Sequence, residues 1–523
     1  MPRLRSQLSR SAWRHSNKTP VLRKITPLLF ALLFGLMACN KEQSGVCMSV
    51  APRASHTILP PSVEYDPHLW SQNVVMRGID SSAWDIACRR VKQMGVKRMR
   101  MMVMPSWWEP TNDNDDANQI AWDRLTLSSV EMQSLYKALD LAQSEGIDIT
   151  MVAWGCHKWC SHIIDKQYRS NQKYFLAEEN STEDWWIPSK QLEEWAESIS
   201  ALLQHLILER KYSCIKALTL INEPSWSYRI DGVVDAEHYS KMCHVVDERL
   251  KRDGVRDKLR FELSDDAENI NFLQHATRSV DDIADSYNSH TYKFGYETPN
   301  SQIEAWERAN IEVVAPTGKP HFIGEFGSNQ NVGASRQRDI DRYERGVLMA
   351  RIALSLMNAG AAGVSYWSMV DQYYAFTDSY ESMQHLGLWR SAKSEYQSEP
   401  YYDDIKQDFE PRTQYWAYSL LTRHIGKSEI YPLKTGNEFV AASAFRNEQD
   451  KWVYVIANGS DEKFAAQIEN QALRISRFSH YGYSKSKLPQ SDCMIETDKV
   501  LSSRKGVLDI EVEAQSMAVF VEK

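Results

Sequence analysis

The chain has 523 residues, of which 43% are hydrophobic, and its formal net charge is −8 at pH 7. This length exceeds that of an ordinary single domain, and the apolar content is sufficient for a large core. Residues 1–26 carry seven Arg and Lys residues and no acid, so the chain without this segment has a charge near −15. This acidic balance argues against nucleic acid and anionic membrane surfaces as partners, because both attract clustered Lys and Arg.

The N-terminus is predicted to be an export signal. An apolar run from Leu28 to Ala38 follows the basic segment and is too short for a permanent membrane helix. It ends in Leu36-Met37-Ala38-Cys39, which resembles the bacterial lipobox, in which the Cys is lipidated after cleavage. We expect a signal peptide over 1–38 and lipidation at Cys39. The alternative is an ordinary signal peptide with an incidental Cys.

Export with a lipid anchor predicts a location at the bacterial cell surface or in the periplasm. Asn40 follows the Cys, where an Asp often retains such proteins at the inner membrane, so the outer membrane is favoured if the source has one. The segment 39–65 is polar and contains three prolines, and we interpret it as a tether between the lipid and the folded protein.

Apolar runs alternate with helical patterns over residues 66–428. Several of the runs are almost continuously apolar, as is typical of parallel strands covered on both faces. Such alternation predicts an α/β protein with a closed (β/α)8 barrel, also called a TIM barrel. The eight candidate strands are Asn73 to Asp80, Val96 to Met104, Asp148 to Gly155, Ile215 to Glu223, Arg260 to Asp265, Ile283 to Tyr292, His321 to Phe326 and Gly363 to Met369.

The pattern changes over residues 429–523. Short, partly alternating runs such as Lys451 to Ile456 are separated by turn residues such as Asn458-Gly459-Ser460. This predicts a small C-terminal β-sandwich packed on the barrel. Its role is either to stabilise the barrel or to bind carbohydrate, and the lack of an evident aromatic row favours stabilisation.

Two long segments, 105–127 and 156–188, follow predicted strands two and three. Both belong at the rim formed by the strand C-termini, and the Trp residues they carry either contact a ligand or pack beneath their own loops. In the second segment Cys156 and Cys160 have three readings: a disulfide, a metal site with His157 and His162, or ordinary thiols. No metal site is assigned.

Two carboxylates end predicted buried strands. Asn222-Glu223-Pro224 closes strand four, and Glu325 lies in Gly324-Glu-Phe-Gly327 on strand seven. The separation of about 100 residues fits three intervening βα units of roughly 30 residues each. Since the strand C-termini of a barrel converge on one rim, the two acids are predicted to face one substrate. Paired acids are what glycosidic bond cleavage needs, because one protonates the leaving oxygen and the other meets the charge at the anomeric carbon.

These motifs together resemble a known superfamily. Asn222-Glu223-Pro224, Gly324 to Gly327, His290-Thr-Tyr292 and Tyr366-Trp367 are similar in order and spacing to the retaining (β/α)8 glycoside hydrolases, which include the cellulases and β-mannanases of family five. The resemblance covers roughly residues 65–425.

The resemblance implies a role for each matching residue. Glu223 corresponds to the general acid/base and Glu325 to the nucleophile. The strand-two arginine that holds the nucleophile corresponds to Arg100, although Arg98 lies on the same strand face. The remaining residues implied to contact or line the substrate site are Asn222, Tyr292, His290, Trp367, Trp154 and His157.

We therefore expect a retaining glycoside hydrolase that cleaves β-glycosidic bonds in an oligosaccharide or polysaccharide by double displacement. No cofactor and no nucleic acid partner is expected, and the membrane is expected to be contacted only through the N-terminal lipid. A transglycosylase using the same two acids, or a non-catalytic surface protein that binds carbohydrate, are the alternatives. The sequence leaves open the identity of the sugar and the oligomeric state.

Overall fold

The computed structural model describes residues 45–65, 82–153, 191–227, 229–230, 233–330, 339–373, 383–390 and 408–523. Eight parallel strands in these ranges form a closed barrel, in which each strand pairs with the next along the chain and the last pairs with the first. This confirms the predicted (β/α)8 fold. Barrel strands one to eight are Ser62–Tyr65, Arg98–Val103, Asp148–Ala153, Ile215–Thr219, Arg260–Ala267, Ser286–Thr291, His321–Phe326 and Val364–Tyr366.

Helices connect the barrel strands, and the helix after strand two has clear end signals. Ser129 caps the helix after strand two by accepting a hydrogen bond from the backbone N–H of Met132, and Gly146 ends that helix with a φ of 63°. A π-helical turn, Gln204–Glu209, extends the helix before strand four. The main helices of the described ranges are Ser82–Met94, Val130–Glu145, Leu192–Leu203, Ala236–Arg252, Ile270–Ser279, Asn300–Val314, Glu344–Ala359 and Thr413–His424.

The prediction for the first barrel strand is wrong. Strand one is Ser62–Tyr65, which lies between strands eight and two, with Ser365 opposite Ser62 and Met99 opposite Val63. Asn73 to Asp80, the predicted strand, is none of the eight barrel strands and lies outside the described residues. The true strand is four residues long and includes a buried Glu64, so it lacks the apolar run on which the prediction depends.

The segment 39–65 is not a tether over its described part. Val46–Ser49 pairs in parallel with Phe464–Glu469, and His56–Ile58 pairs antiparallel with Ser428–Pro432. The barrel accordingly begins at residue 62 instead of residue 66. These strands are only four and three residues long, and they pair with edges of sheets built by the distant C-terminal part of the chain. A local sequence pattern does not reveal such an edge.

Two packed sheets form the predicted β-sandwich, and the prediction is confirmed with two strands added from the N-terminal side. The larger sheet has the order His56–Ile58, Ser428–Pro432, Val440–Asn447, Trp452–Asn458, Ser516–Glu522, Arg477–Tyr483 and Lys499–Ser502. The smaller sheet has the order Val46–Ser49, Phe464–Glu469 and Val507–Val512.

Alternation along the central strands joins the sandwich to the barrel. Tyr454 and Ile456 face the sandwich interior, whereas Val453 and Val455 belong to the same apolar core as the barrel helices. Gly45–Lys523 accordingly forms one compact unit. Within the described ranges, every helix is too short or too polar to cross a membrane.

Candidate active site

The two predicted acids lie together at the carboxyl end of the barrel strands. Glu223 follows strand four and Glu325 lies in strand seven. One carboxylate oxygen of each lies within 4.8 Å of the other, and a ring nitrogen of His290 lies within the same distance of both. The Glu325 side chain is 5% exposed and that of Glu223 is 21% exposed. Glu223 is therefore the more accessible acid of a closely spaced pair.

Glu325 is held by two donors, one on each oxygen. Arg100 Nη1 donates to Glu325 Oε1 at 2.6 Å, and the Tyr292 hydroxyl donates to Oε2 at 2.7 Å. Burial raises the pKa of Glu325, while the charges of His290 and Arg100 oppose that rise. Burial and the carboxylates of Glu325 and Glu223 raise the pKa of Tyr292 well above its ordinary value, so its hydroxyl stays a donor.

Arg100 connects strands one, two and five to the catalytic rim. Its Nη1 also donates to Glu64 Oε2 at 3.0 Å, and its Nη2 donates to Asn222 Oδ1 and to Asp265 Oδ2, each at 2.8 Å. The guanidinium is fully buried among these acceptors. Fixed in this way, Arg100 orients Asn222 and Glu325 relative to each other.

The structure distinguishes the two candidate arginines of strand two. Arg98 Nη2 donates to both oxygens of Glu262, at 2.8 and 3.0 Å, and its guanidinium stacks over the Phe322 ring. Arg98 thus forms a separate buried ion pair in the barrel interior. Arg100 is the arginine that reaches the acid pair.

Asp265, at the end of strand five, is a site residue that the sequence analysis missed. Besides Arg100, it accepts hydrogen bonds from His290 Nε2 at 3.0 Å, from Asn288 Nδ2 at 2.5 Å and from the backbone N–H of Glu223 at 3.3 Å. Although burial acts to raise it, Arg100 and His290 lower the pKa of Asp265 to about 2. Consecutive acids, Asp265-Asp266, at the end of a predicted strand are the signal that marks it.

The backbone around Asp265 is shaped for this contact. Asp265 has a φ of 51°, and the pairing of strands five and six shifts register between Asn288 and Ser289. Gly324 on strand seven lets the Asn288 side chain cross toward Asp265, because a Cβ there would lie 2.3 Å from Asn288 Oδ1. The Gly324-Glu325 pair of the sequence motif thus has two functions, one steric and one chemical.

His290 bridges Asp265 and the acid pair. Its Nδ1 lies 2.9 Å from Glu223 Oε1 and 3.5 Å from Glu325 Oε2, while its Nε2 faces Asp265. Although burial acts to lower it, Asp265 and Glu325 raise the pKa of His290 well above its ordinary value. The ring is therefore an imidazolium with both N–H groups directed at carboxylates, a form that cannot ligate a metal.

Glu64, on strand one, is the second missed residue. Its Oε2 accepts from Arg100, and its Oε1 is buried with no hydrogen-bond partner in the described part of the chain. Burial raises the pKa of Glu64 to about 8, against the lowering effect of Arg100. Glu64 is thus neutral near pH 7. Glu64 lies in the segment predicted to be a tether, so it was not predicted to belong to the site.

Of the other predicted contact residues, two lie within the described residues and two lie outside them. Asn222 is buried beside Arg100, and Trp367 lies directly after strand eight with 4% of its surface exposed. Trp154 and His157 lie outside the described residues. Trp107 and Trp108, from the long segment after strand two, are 3% and 0% exposed, so both are buried.

Comparison with known proteins gives a likeness at the level of structure. No protein-family model matches the sequence, and no curated protein matches it. A glycoside hydrolase family 30 subfamily 8 xylanase from Clostridium acetobutylicum is 13% identical with a TM-score of 0.60, and the match covers 91% of this chain and 99% of the xylanase. A monomeric β-xylosidase from Caulobacter crescentus is also 13% identical with a TM-score of 0.60, covering 92% and 99%.

A third match is a conserved exported protein from Bacteroides fragilis, 10% identical with a TM-score of 0.63, covering 91% of this chain and 100% of that one. At these identities the matches establish a shared architecture of barrel and β domain. They do not single out the family five type that the sequence motifs resemble.

Proposed function

We propose that this protein is a glycoside hydrolase that cleaves β-glycosidic bonds with retention of configuration. The observation that carries the proposal is the spacing of the acid pair, whose oxygens approach within 4.8 Å. Retaining enzymes hold their two carboxyl groups roughly 5–5.5 Å apart, whereas inverting enzymes leave roughly 6.5–9.5 Å for a water molecule. The narrow gap favours direct attack by one carboxylate on the sugar.

In this proposal Glu325 is the nucleophile. Arg100 and Tyr292 donate to its two oxygens and so favour the ionised form against the effect of burial. Attack on the anomeric carbon forms the bond between the sugar and Glu325 Oε while the bond to the leaving oxygen breaks. The leaving oxygen takes a proton from Glu223, the more exposed acid.

The second half of the reaction uses the same residues in reverse. Glu223, now ionised, takes a proton from water, and the resulting hydroxide displaces Glu325 from the anomeric carbon. Asn222, oriented by Arg100, is the proposed donor to the sugar 2-hydroxyl, and Trp367 is the proposed stacking surface beneath the sugar.

The substrate is proposed to be a β-linked oligosaccharide or polysaccharide. Several structural neighbours are named as xylanases or β-xylosidases, so xylan and aryl β-xylosides are the first substrates to test, followed by β-glucan and β-mannan with the matching aryl glycosides.

The test compares the wild type with Glu325→Ala and Glu223→Ala on this panel. Glu325→Ala is expected to abolish turnover. Glu223→Ala is expected to lose about 10² to 10⁴ in kcat on natural linkages, to retain more activity on glycosides with good leaving groups, and to recover with azide. Glu297→Ala, an exposed acid after strand six, is the matched control and should behave as wild type. Unchanged hydrolysis in either catalytic variant would refute the assignment, and transfer to an added acceptor sugar would point to a transglycosylase.

We further propose that the protein is exported and anchored by a lipid on Cys39. The support is the basic segment, the apolar run and the lipobox-like ending in the sequence. Labelling with radioactive palmitate in a bacterial host should place the label on the wild type in the membrane fraction. Cys39→Ala should lose the label and leave the membrane fraction, and labelling of the variant would contradict the proposal.

A further inference from the structure

A second group of buried acids lies outside the candidate active site. Glu109 and Asp113 belong to the segment after strand two, and Glu197 belongs to the helix Leu192–Leu203. One carboxylate oxygen from each lies within 4.8 Å of the other two, and all three side chains are buried. This cluster, called the Glu197 cluster below, joins a rim segment to a helix on the outside of the barrel.

Glu197 gives an independent sign that something is bound there. It is 0% exposed, and neither of its two oxygens has a hydrogen-bond donor within the described residues. A buried carboxylate without a donor is strongly unfavourable, so such a group is normally hydrogen-bonded or paired with a cation. Further buried oxygens with no partner in the described part of these two segments are Asp113 Oδ1, Asn112 Oδ1 and Glu194 Oε2.

The charge of Arg249 acts on Glu197, but two of the guanidinium donors bond to other groups. Its Nε forms a short contact with Asp253, and its Nη1 does so with the backbone carbonyl of Ala117. Within the part of the chain that the structure describes, Glu197 and Asp113 therefore have no bonded Lys or Arg partner. The charge of the buried acids can then be offset in two ways: by protons shared among the acids or by a metal cation.

We propose that Glu109, Asp113 and Glu197 bind a divalent cation of the Ca²⁺ type. The three donors are carboxylate oxygens, the ligands that Ca²⁺ prefers, and no softer His or Cys ligand is among them. Ca²⁺ lies at 2.3–2.6 Å from its ligands, so ligands on opposite sides are roughly 4.6–5.2 Å apart. The spread of the three oxygens, up to 4.8 Å, matches such a shell.

The bound cation would fasten the rim segment to the helix. The same two elements are already joined next to the cluster, where Trp108 Nε1 donates to the carbonyl and the hydroxyl of Ser198 at 3.0 and 2.9 Å. The segment after strand two leads from the carboxyl end of the barrel, so the cation stabilises one side of the catalytic rim. This inference does not depend on the proposed function.

The experiment uses the mature chain freed of metal with a chelator. Isothermal titration calorimetry with CaCl2 at pH 7.5 is expected to show one binding site. The melting temperature is expected to rise by several degrees in excess Ca²⁺. MgCl2 is expected to bind about tenfold or more weaker, because Mg²⁺ needs a smaller, octahedral shell. Absence of both heat and a melting shift with Ca²⁺ would overturn the proposal.

Two variants locate the site. Glu197→Gln is expected to weaken Ca²⁺ binding at least about tenfold and to remove the melting shift, and Asp113→Asn serves if that variant does not fold. Glu193→Gln, the same change at an exposed position of the same helix, is the control and should bind as wild type. Unchanged binding in Glu197→Gln would overturn the proposal. If the wild type does not bind Ca²⁺ and Glu197→Gln has a higher melting temperature than the wild type, the cluster holds only protons. That result would also overturn the proposal.

Discussion

Two buried groups of acids, one at the catalytic rim and one in the Glu197 cluster, differ in whether Arg and His side chains are bonded to them. At the catalytic rim, Asp265 and Glu325 contact Arg100 and His290, and the pKa of Asp265 falls to about 2 despite its burial. In the Glu197 cluster, burial raises the pKa of Glu197 to about 9. Comparable burial therefore gives opposite acidities at Asp265 and Glu197, and the cations bonded to Asp265 account for its lowered pKa. At the rim, His290 and Arg100 oppose the rise that burial causes in the pKa of Glu325, which favours its ionised form.

The largest expected effect comes from removing the rim cation with Arg100→Met. Glu64, Asp265 and Glu325 then lose their shared donor, and we expect a loss of roughly 3–5 kcal/mol in the free energy of unfolding, as for other broken buried ion pairs. Turnover should fall to background, because Glu325 is no longer held ionised. Urea denaturation and hydrolysis of the best aryl glycoside measure both effects.

Arg98→Met is the matched control for that variant. Arg98 lies two residues away on the same strand and has its own buried partner, Glu262, but it does not contact the acid pair. A similar loss of stability is expected, with activity per folded molecule retained. Equal loss of activity in both variants would mean that the contact of Arg100 with Glu325 has no special role.

An intermediate effect is expected from Asp265→Asn in acid. The native pKa of Asp265, about 2, lies below its ordinary value of 3.8, so its ionisation stabilises the fold above pH 3.8 and this contribution is lost as the pH falls toward 2. The shift corresponds to about 2 kcal/mol. The free energy of unfolding of the variant should therefore fall less steeply between pH 4 and pH 2 than that of the wild type. Identical slopes would contradict the ion-pair network at the rim.

The smallest effect is expected from Glu64→Gln. The pKa of Glu64 is raised in the folded protein from its ordinary value of 4.5 to about 8. Between these two values Glu64 is ionised in the unfolded chain but protonated in the folded protein, so the wild type loses stability as the pH rises from 4.5 to 8. Gln keeps an acceptor for Arg100 and cannot ionise. The stability of the variant relative to wild type should rise from pH 5 to pH 8, and kcat/KM at pH 6 should change only a few-fold. A large loss of activity at pH 6 would show that Glu64 is needed in its charged form.

The sequence predicts the parts of this molecule that have strong local patterns. Strands with apolar runs, such as Asp148–Ala153, can be predicted because burial leaves a sequence signal. The acids that end strands four and seven can be predicted from their position at the strand ends. The barrel and the meeting of Glu223 with Glu325 follow from these signals and the geometry of a closed sheet.

The parts that the sequence does not predict depend on distant partners. Strand one and the two N-terminal strands of the sandwich are short and are stabilised by edges built elsewhere in the chain. Glu64 was not predicted as a site residue because it lies on this short strand one. The role of Asp265 depends on a register shift and on the space left by Gly324, neither of which has a local pattern.

The most direct test is to trap the sugar on the nucleophile. A 2-deoxy-2-fluoro β-glycoside with a dinitrophenol leaving group, made from the sugar that the panel identifies, lacks the 2-hydroxyl interaction that stabilises the transition state, so the intermediate accumulates. Mass spectrometry of the digested protein should find one fluorosugar on the peptide that contains Glu325. A sugar on another residue, or a first product with inverted anomeric configuration by NMR, would contradict the retaining pair of Glu223 and Glu325.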